Sequence, residues 1–467
     1  MQHRIVIIGG GPGGYEAARA GRQLGAEVVL VESAGIGGNA VLTDVVPSKT
    51  LIATADAAQR VALAQTLGVN FSIDGKTIKP KVEIDLEKVN RRLIELAKSQ
   101  SEDMLETLIA EGVRVVSGRG RLDGNHHVII EPNDGAAAER LEAKTVIIAT
   151  GAHPRELADA KPDGERILTW KQLYNLKSLP EHMIVVGSGV TGAEFASAYL
   201  ELGSKVTLIS SRDRVLPGND SAAADLIEDV FQRHGMRIMN RARAQSVQAT
   251  SEGVKVTLAS GEVVEGSHCL MAVGAIPNTE GLGLEEAGIR LTESGHVIVN
   301  KVARTSRANV YAVGDCTTAL PLASVSAMQG RTAVYHTMGD VASPTRIRNV
   351  ASNVFTSPEI ASVGWSQAEI EQGLVRGEIE KVMLETNPRA KMQGISEGFI
   401  KLFASIGSGT VIGGVVVAPR ASDLIYPIAM AVENRLTVDQ LARTYTVYPS
   451  LSGSIAEAAS ALHQPID

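Results

Sequence analysis

The alternation of apolar and polar blocks predicts two copies of one folding unit. An apolar run at residues 4–8 is followed by a glycine-rich turn, a helical stretch at 15–24 and a second apolar run at 27–32. The same order returns at 183–210, at a constant offset of 178 residues. Strand, helix and parallel strand in this order form a βαβ unit, so the repeat predicts two Rossmann-like lobes.

Further apolar runs predict the elements that complete these lobes. A long helix is predicted from Leu86 to Glu111, ended by Gly112. Buried strands are predicted at 145–151 and 310–316, and the second is expected to return to the first lobe. The polar, proline-punctuated segment 154–180 is predicted to cross into the second lobe.

From about residue 346 the pattern changes to shorter strands followed by helices, which predicts an α+β region without a nucleotide loop. Strands are expected at 360–364, 399–404 and 411–418. Two later helices carry capping-box signals, and Pro427 is expected to kink or interrupt the helix around it. The capping boxes are Thr437 with Gln440 and Ser454 with Glu457.

The predicted fold class is therefore α/β, with two Rossmann-like nucleotide-binding lobes and a C-terminal α+β domain. The first lobe is assigned to residues 1–152 and 277–345, so that it is split by the second lobe at 153–276. The C-terminal domain is assigned to 346–467. A chain of 467 residues is long enough for several such cores.

Composition narrows the possible partners and the compartment. The net charge of −7 argues against a nucleic-acid or anionic-membrane partner. The first strand begins at residue 4, which leaves no room for a signal peptide, and no apolar run is long enough to span a membrane. The two cysteines, Cys269 and Cys316, are far apart and are expected to be buried reduced thiols, which favours the cytoplasm. None of the ten histidines has metal-site spacing, so no metal is expected.

The two glycine-rich loops predict two dinucleotide sites, because glycines let the backbone approach a pyrophosphate at a helix N-terminus. Glu32 ends the second strand of the first unit and suits the ribose hydroxyls of FAD. The matching position in the second unit is Ser210, followed by Arg212 and Arg214, which suits the 2′-phosphate of NADPH. The two arginines are also interpretable as ordinary surface residues, so NADPH and NADH both stay open. The loop glycines are Gly9, Gly11 and Gly14 in the first unit and Gly187, Gly189 and Gly192 in the second.

Several further motifs make the chain resemble the pyridine nucleotide–disulfide oxidoreductase family, with the layout of a dihydrolipoamide dehydrogenase. These motifs extend over nearly the whole chain: GGGPGG (9–14), PSK (47–49), ATG (149–151), GSGVTGAE (187–194), GAIPN (274–278), YAVGD (311–315), FTSPEIASVG (355–364), NPRAK (387–391) and YPSLSG (448–453). The resemblance implies an FAD lobe split by an inserted NAD(P)H lobe, and an interface domain that forms a homodimer. It implies that Lys49 and Glu194 form a pair beside the flavin ring, and that Asp315 binds the ribityl chain. The other cofactor positions that it implies are Gly38, Thr150, Gly151 and Gly274.

The chain departs from the family pattern where the redox chemistry of the family takes place. The family has two cysteines five residues apart before PSK, and here Ala40 and Val45 occupy those positions. The family's histidine–proline step is replaced by Tyr448 before Pro449, with Gly453 at the position of the partner glutamate. Alanine and valine form no thiolate and attack no disulfide, so the dithiol half-reaction is not expected.

The half-reaction that remains is hydride transfer from NAD(P)H to the flavin, and it predicts an NAD(P)H:quinone reductase. The resemblance supports this prediction, because it includes family members that lack the cysteines and reduce quinones. Ala40, Val45 and Val46 would form an apolar wall suited to a flat quinone. Tyr448 is interpretable as a proton donor to the quinone or as a packed interface tyrosine. Thr43 and Asp44 are expected to line the pocket or to cap a turn. Two alternatives stay open: a disulfide reductase with an unusual acceptor route, and a non-catalytic FAD-binding scaffold.

Overall fold

The computed structural model describes residues 3–463 of the chain, in which strands and helices alternate. The α-helices of this range are α1 (Pro12–Gln23), α2 (Gly38–Leu42), α3 (Val45–Leu63), α4 (Leu86–Ala110), α5 (Val190–Leu202), α6 (Ser221–Arg233), α7 (Ala323–Met338), α8 (Gln367–Glu371), α9 (Pro388–Gln393), α10 (Ala421–Asn434), α11 (Val438–Arg443) and α12 (Gly453–Ala461). The strands of this range are β1 (Arg4–Ile8), β2 (Glu27–Glu32), β3 (Phe71–Ile73), β4 (Lys76–Ile78), β5 (Arg114–Asp123), β6 (His127–Pro132), β7 (Glu139–Glu142), β8 (Thr145–Ile148), β9 (Ala152–Pro154), β10 (Ile167–Leu168), β11 (His182–Val186), β12 (Lys205–Ile209), β13 (Arg237–Met239), β14 (Ala244–Ala249), β15 (Val254–Leu258), β16 (Val263–Gly266), β17 (His268–Met271), β18 (Ala275–Pro277), β19 (Val310–Ala312), β20 (Ser352–Val354), β21 (Glu359–Gly364), β22 (Gly377–Met383), β23 (Phe399–Ser405) and β24 (Val411–Ala418).

The first lobe is built on a seven-stranded sheet in the order β19-β8-β1-β2-β5-β6-β7. The strands from β19 to β5 are parallel, and β6 and β7 join antiparallel. Alternate residues of β1 point to opposite faces, so Ile5 and Ile7 enter one hydrophobic cluster while Val6 and Ile8 enter another. The pairing of β19 with β8 confirms that the chain returns to this sheet after residue 310.

The second lobe repeats this plan on a five-stranded parallel sheet in the order β10-β17-β11-β12-β13. A three-stranded antiparallel sheet, β14-β15-β16, follows β13 in the chain. In both lobes the first strand runs into a glycine turn and then a helix, as the offset of 178 residues predicts. Two Rossmann-like lobes are therefore confirmed as the core of an α/β fold.

The C-terminal part is a five-stranded antiparallel sheet in the order β20-β21-β24-β23-β22. The helices α10, α11 and α12 bury apolar side chains in one cluster with this sheet, among them Ile400, Val416, Ile428 and Ile455. The predicted strands at 360–364, 399–404 and 411–418 are confirmed within a residue of their limits. An α+β arrangement is thus present in this region.

Backbone contacts divide the chain into two compact units. Unit 1 comprises residues 3–50, 90–155 and 273–347, and unit 2 comprises 51–89, 156–272 and 348–463. Unit 1 holds the seven-stranded sheet, whereas unit 2 holds the second Rossmann sheet and the C-terminal sheet. The three domain limits stay a prediction. Between residues 3 and 463, the structure has no helix with both the length and the apolar character needed to cross a bilayer.

The helix ends that were predicted from local sequence signals were correct in part. The long helix α4 ends at Ala110 beside Gly112, and Thr437 with Gln440 forms the predicted capping box. The helix predicted at 15–24 begins earlier, at Pro12, because proline is well suited to the first turn, where its missing N–H has no partner to lose.

Pro427 does not interrupt its helix, because α10 continues through it from Ala421 to Asn434; a kink at this position stays a prediction. The capping box expected at Ser454 was wrong. Ser454 is no cap, because α12 already begins at Gly453 and the buried Ser454 hydroxyl bonds the Asn387 amide at 2.8 Å.

Candidate functional site

Among Gly9, Gly11 and Gly14 of the first glycine loop, the folded chain itself requires the first and the last. Gly9 has φ +105°, and a Cβ there would lie 2.3 Å from the carbonyl oxygen of Ala149. A Cβ on Gly14 would lie 1.9 Å from the carbonyl oxygen of Gly9. Gly11, the N-cap of α1, has φ −64°, and a Cβ there would meet nothing within 4 Å. An alanine at Gly11 would therefore be compatible with the folded chain alone.

The second loop has the same division of roles. Gly187 has φ +112° and would place a Cβ 2.2 Å from the carbonyl oxygen of Ala272. Gly192 would place one 1.8 Å from the carbonyl oxygen of Gly187, whereas a Cβ on Gly189 would again meet nothing within 4 Å. Gly189 is the N-cap of α5, with φ −71°.

The open space at the middle glycine of each loop fits a dinucleotide. It lies at the N-terminus of a helix, where backbone N–H groups and the helix dipole favour a phosphate. A ligand whose pyrophosphate approaches the backbone there is what would exclude a side chain from both positions. The residues present therefore fit one dinucleotide at α1 and another at α5.

Glu32 lies at the end of β2, beside the first loop. Its carboxylate accepts hydrogen bonds from the amides of Gly10 at 2.6 Å and Ala34 at 2.7 Å. The amide of Gly37 donates to the carbonyl of Gly10 at 2.8 Å, and a Cβ on Gly38 would lie 3.0 Å from the Cα of Gly11. The structure thus brings Glu32 and Gly38 to the first glycine loop.

Thr150, Gly151 and Asn278 form the next part of unit 1. The Thr150 hydroxyl donates to the Asn278 carbonyl at 2.7 Å, and the Asn278 amide group donates to the Thr150 carbonyl at 2.8 Å. Gly151 has φ +67°, and Gly274, which accepts a hydrogen bond from the Arg155 amide, has φ +99°. Both glycines face open space. Asn278 was not among the predicted site residues, although it ends the GAIPN motif.

Asp315 follows β19 in a short 3-10 turn, Gly314–Cys316. Burial raises the pKa of its carboxyl, and His296 opposes that rise. The Cys316 side chain is fully buried, with Sγ 3.3 Å from the carbonyl oxygen of Val313. Burial raises the pKa of the Cys316 thiol to about 11, so this cysteine is a neutral thiol at pH 7.

The segment from residue 35 to residue 49 contains no cysteine. Ala40 lies in α2 and is partly buried, and Val45 begins α3 with 36% of its surface exposed. The Asn39 amide group donates to the carbonyl of Ala152, and the Thr43 hydroxyl donates to the side-chain oxygen of Asn39. Cys269 and Cys316 are both free and buried, as predicted. Lys49 lies on α3, four residues after its first residue, Val45.

Ser210 is fully buried at the end of β12, and its hydroxyl bonds the Ser188 hydroxyl at 2.7 Å. It also accepts from the Arg212 amide at 3.1 Å, so Ser210 ties the strand end to the second glycine loop. Arg214 forms an ion pair with Asp225 at 3.0 Å. The Arg212 side chain is exposed and forms no ion pair with another described residue. Of the two candidate arginines, Arg212 is therefore the better placed to meet a phosphate.

Glu194 lies on α5 and is 4% exposed. One carboxylate oxygen accepts a hydrogen bond from the backbone amide of Phe355 at 2.8 Å, within unit 2. Sequence reasoning missed this partner because the two residues are 161 positions apart. The FTSPE motif, which begins at Phe355, was its only signal.

Tyr448 lies in the connection between α11 and α12, and 82% of its surface is exposed in the single chain. Tyr445 and Val447 beside it are exposed at 101% and 78%. Such a run of exposed apolar side chains is typical of a surface that a partner covers.

Comparison with known families agrees with this geometry. Residues 3–330 match the model described as pyridine nucleotide-disulphide oxidoreductase, and residues 350–459 match the dimerisation domain of that family. The chain is 50% identical to a Mycobacterium tuberculosis protein named NAD(P)H dehydrogenase (quinone), over 100% of this chain and 96% of that protein. It is 32% identical to the dihydrolipoyl dehydrogenase of Chlamydia muridarum, over 98% of each chain.

Solved structures show the same fold. LpdA from Mycobacterium tuberculosis superposes with a TM-score of 0.94 at 49% identity, covering 99% of this chain and 100% of that one. The HOCl-induced flavoprotein disulfide reductase RclA from Escherichia coli gives a TM-score of 0.85 at 23% identity, over 98% and 99% of the two chains. At 23% identity, the similarity to RclA shows a common fold and nothing more. The chain belongs to the pyridine nucleotide-disulphide oxidoreductase family, as a flavoprotein oxidoreductase that uses FAD together with NADH or NADPH.

Proposed function

We propose that the protein is an NAD(P)H:quinone oxidoreductase that lacks the dithiol step of its family. The observation that carries this proposal is the absence of any cysteine between residues 35 and 49. The two cysteines elsewhere are free and fully buried, and burial raises the pKa of both thiols. A neutral, enclosed thiol is neither a nucleophile nor an electron relay.

FAD, when bound, accepts a hydride from NAD(P)H and passes two electrons onward. The residues of this chain supply the two dinucleotide sites. Gly11 and Glu32 would hold the adenosine and pyrophosphate of FAD, and Gly189 with Arg212 would hold those of NADPH. NADH would bind the same loop without the phosphate contact of Arg212. Other positions that we propose near FAD are Gly9, Gly14, Gly38, Thr150, Gly151, Gly274 and Asp315, and those near NAD(P)H are Gly187, Gly192 and Ser210.

Lys49 and Glu194 are proposed to act at the flavin ring. An ammonium group favours the more anionic reduced ring, and a carboxylate moderates its effect. Glu194 is held by the Phe355 amide at 2.8 Å, so its carboxylate is fixed within unit 2 before any ligand binds. A fixed group reorganises little during the reaction, which is the general advantage of a preorganised site.

The acceptor side is proposed to be an apolar wall of Ala40, Val45 and Val46. In place of two sulfur atoms, these residues offer small or branched aliphatic side chains. Such a lining suits a planar, mostly apolar molecule, and a quinone takes two electrons without a thiol intermediate. The name of the Mycobacterium tuberculosis relative, which is 50% identical over the whole chain, supports this acceptor class.

Tyr448 is proposed to reach the acceptor site of a second copy in a homodimer. The dimerisation domain spans residues 350–459 and includes this tyrosine, whose side chain is largely exposed in the single chain. A phenol there can donate a proton to a reduced quinone oxygen, or it can pack in the interface. The two buried reduced thiols favour a reducing compartment, so we propose the cytoplasm as the location.

Steady-state turnover of the flavin-loaded enzyme tests the proposal. NADPH and NADH oxidation should be fast with benzoquinones and naphthoquinones and near background with lipoamide or glutathione disulfide. A disulfide reductase with an unusual route would give the reverse pattern. A non-catalytic scaffold would oxidise neither nucleotide with any acceptor.

A further inference from the structure

The loop at residues 210–216, which carries Arg212, is joined to the second glycine loop within unit 2. The Ser210 hydroxyl bonds the Ser188 hydroxyl at 2.7 Å, and the Leu216 amide donates to the Ser188 carbonyl at 2.9 Å. Both ends of the 210–216 loop therefore contact the same residue of the glycine loop. The conformation of the 210–216 loop thus determines where the Arg212 backbone lies relative to the N-terminus of α5.

A second loop, residues 240–242 after β13, lies alongside the 210–216 loop. The Ala242 amide donates to the Ser210 carbonyl at 2.8 Å, and the Arg241 amide donates to the Arg212 carbonyl at 2.8 Å. These two hydrogen bonds hold the backbone at Arg212 against its neighbour. A change in either loop is therefore transmitted to the backbone that carries the Arg212 side chain.

One carboxylate, that of Glu228 on α6, binds both loops. It accepts a hydrogen bond from the Val215 amide at 3.2 Å and another from the side-chain amide group of Asn240 at 2.5 Å. Each of its two oxygens is used by one loop. Val215 is fully buried, so loss of the carboxylate would take the acceptor away from a donor that water does not reach.

Each residue that Glu228 binds is followed by one whose backbone is in the left-handed region. Leu216 has φ +52° and Arg241 has φ +55°. Side chains with a Cβ disfavour this region, and such a backbone persists only where the surrounding contacts hold it. Because Leu216 and Arg241 directly follow Val215 and Asn240, the Glu228 carboxylate holds each loop next to its strained position.

We propose that Glu228 is a positioning residue for nucleotide selectivity, which fixes the 210–216 loop so that the Arg212 guanidinium lies at the 2′-phosphate of NADPH. Without Glu228 the loop regains other conformations, and NADPH must order it on binding, which weakens the binding. NADH lacks the phosphate and gains nothing from the fixed guanidinium. The inference rests on the proposed contact of Arg212 with NADPH, but not on the identity of the acceptor.

The test is flavin reduction by NADPH and by NADH, followed by anaerobic stopped flow in the flavin-loaded enzyme without any quinone. Glu228→Ala should raise the NADPH concentration that gives half of the maximal rate about threefold or more, and keep the maximal rate. The corresponding NADH concentration should change less than about twofold. In an Arg212→Ala background, Glu228→Ala should weaken NADPH binding no further, because the group that it positions is gone.

Glu228→Gln separates the hydrogen bonds from the charge. Its side-chain oxygen accepts from the Val215 amide, and its NH2 group donates to the Asn240 oxygen once the Asn240 amide turns over. That oxygen is buried and has no hydrogen-bond partner among the described residues. Glu228→Gln should therefore stay within about twofold of the wild type. Asp229→Ala removes the neighbouring, exposed carboxylate of α6 and is the matched control, which should also keep the wild-type values.

Hydrogen–deuterium exchange of the peptide covering 213–218 in the same holoenzymes observes the loop directly. Exchange should be faster in Glu228→Ala than in the wild type and unchanged in Glu228→Gln. Unchanged exchange in Glu228→Ala would overturn the proposal, and so would an equal loss with both nucleotides or a further loss in the Arg212→Ala background. If Arg212→Ala alone left NADPH binding unchanged, the phosphate contact on which the inference rests would be wrong as well. A failure with quinones would leave all of these measurements valid.

Discussion

The ammonium of Lys401 lies 2.8 Å and 2.9 Å from the two carboxylate oxygens of Asp220, and both side chains are 4% exposed. Lys401 belongs to β23 of the C-terminal sheet, and Asp220 is the N-cap of α6, where it accepts from the Ala223 amide at 3.1 Å. The Lys401 ammonium also donates a hydrogen bond to the side-chain oxygen of Gln367 at 2.6 Å. The pair therefore joins the C-terminal sheet to a helix of the second Rossmann lobe within unit 2.

Removal of Lys401 should destabilise the protein strongly. Lys401→Met leaves Asp220 as a buried carboxylate without its counter-charge, which costs about 3–5 kcal/mol of unfolding free energy. The double variant Lys401→Met with Asp220→Asn should recover part of this loss. Urea unfolding measures both. The exposed pair of Arg241 and Asp213 is the matched control, and Arg241→Met should change the unfolding free energy by less than about 1 kcal/mol. Equal effects at the two pairs would contradict the prediction.

Substitution of Gly11 or Gly189, the middle glycines of the two loops, should weaken ligand binding and leave folding intact. Gly189→Ala should fold normally, because its Cβ meets nothing within 4 Å. We expect its KM for NAD(P)H to rise about tenfold or more, which corresponds to about 1.4 kcal/mol, with FAD content unchanged. Gly11→Ala, the equivalent substitution in the first loop, is the control, and it should lower the FAD content instead.

Gly192→Ala provides the opposite control, because its Cβ would lie 1.8 Å from the carbonyl oxygen of Gly187. This variant should lose unfolding free energy as well as nucleotide binding. If Gly189→Ala bound NADH and NADPH like the wild type, the space at the α5 N-terminus would not be the pyrophosphate site.

Arg212 should contribute to NADPH use and not to NADH use. A charge-assisted hydrogen bond to the 2′-phosphate is worth about 1.5–3 kcal/mol, so Arg212→Ala should lower kcat/KM for NADPH about tenfold or more. With NADH the change should be less than about twofold. Arg214→Ala is the control, since Arg214 already pairs with Asp225. Equal losses with both nucleotides would remove Arg212 from the specificity site.

Glu201 on α5 should make the stability of the protein depend on pH, because burial raises the pKa of its carboxyl. Its pKa is about 7 in the folded protein against an ordinary value of 4.5, so the folded state holds the proton more tightly. The stabilisation is fully present below pH 4.5 and is lost as the pH rises to about 7. Relative to the wild type, Glu201→Gln should therefore gain up to about 3 kcal/mol between these pH values. Urea unfolding of both proteins across this range measures the difference, and a gap that stays constant with pH would contradict it.

The sequence predicted those features that arise from local pattern. The two glycine loops, the return of β19 to the first sheet and the strands of the C-terminal region follow from periodicity and from turn residues. Two local signals were overridden by the surrounding structure. Ser454 matched a capping pattern but lies inside α12, and Pro427 does not interrupt α10.

Contacts between segments that are distant in the chain could not be predicted from the sequence. Nothing near Glu194 in the chain points to its partner Phe355, and the arginines after Ser210 looked equivalent until Asp225 was seen to bind one of them. Such contacts depend on the packing of whole elements, which local spacing does not specify.

Reoxidation of the reduced flavin tests the central claim most directly. The enzyme is first reduced by a stoichiometric amount of NADPH without oxygen, and then mixed in stopped flow with a naphthoquinone, lipoamide or glutathione disulfide. The account predicts that the quinone restores the oxidised flavin spectrum within the dead time or shortly after, while both disulfides leave it reduced. Rapid reoxidation by a disulfide, with the quinone inert, would contradict it.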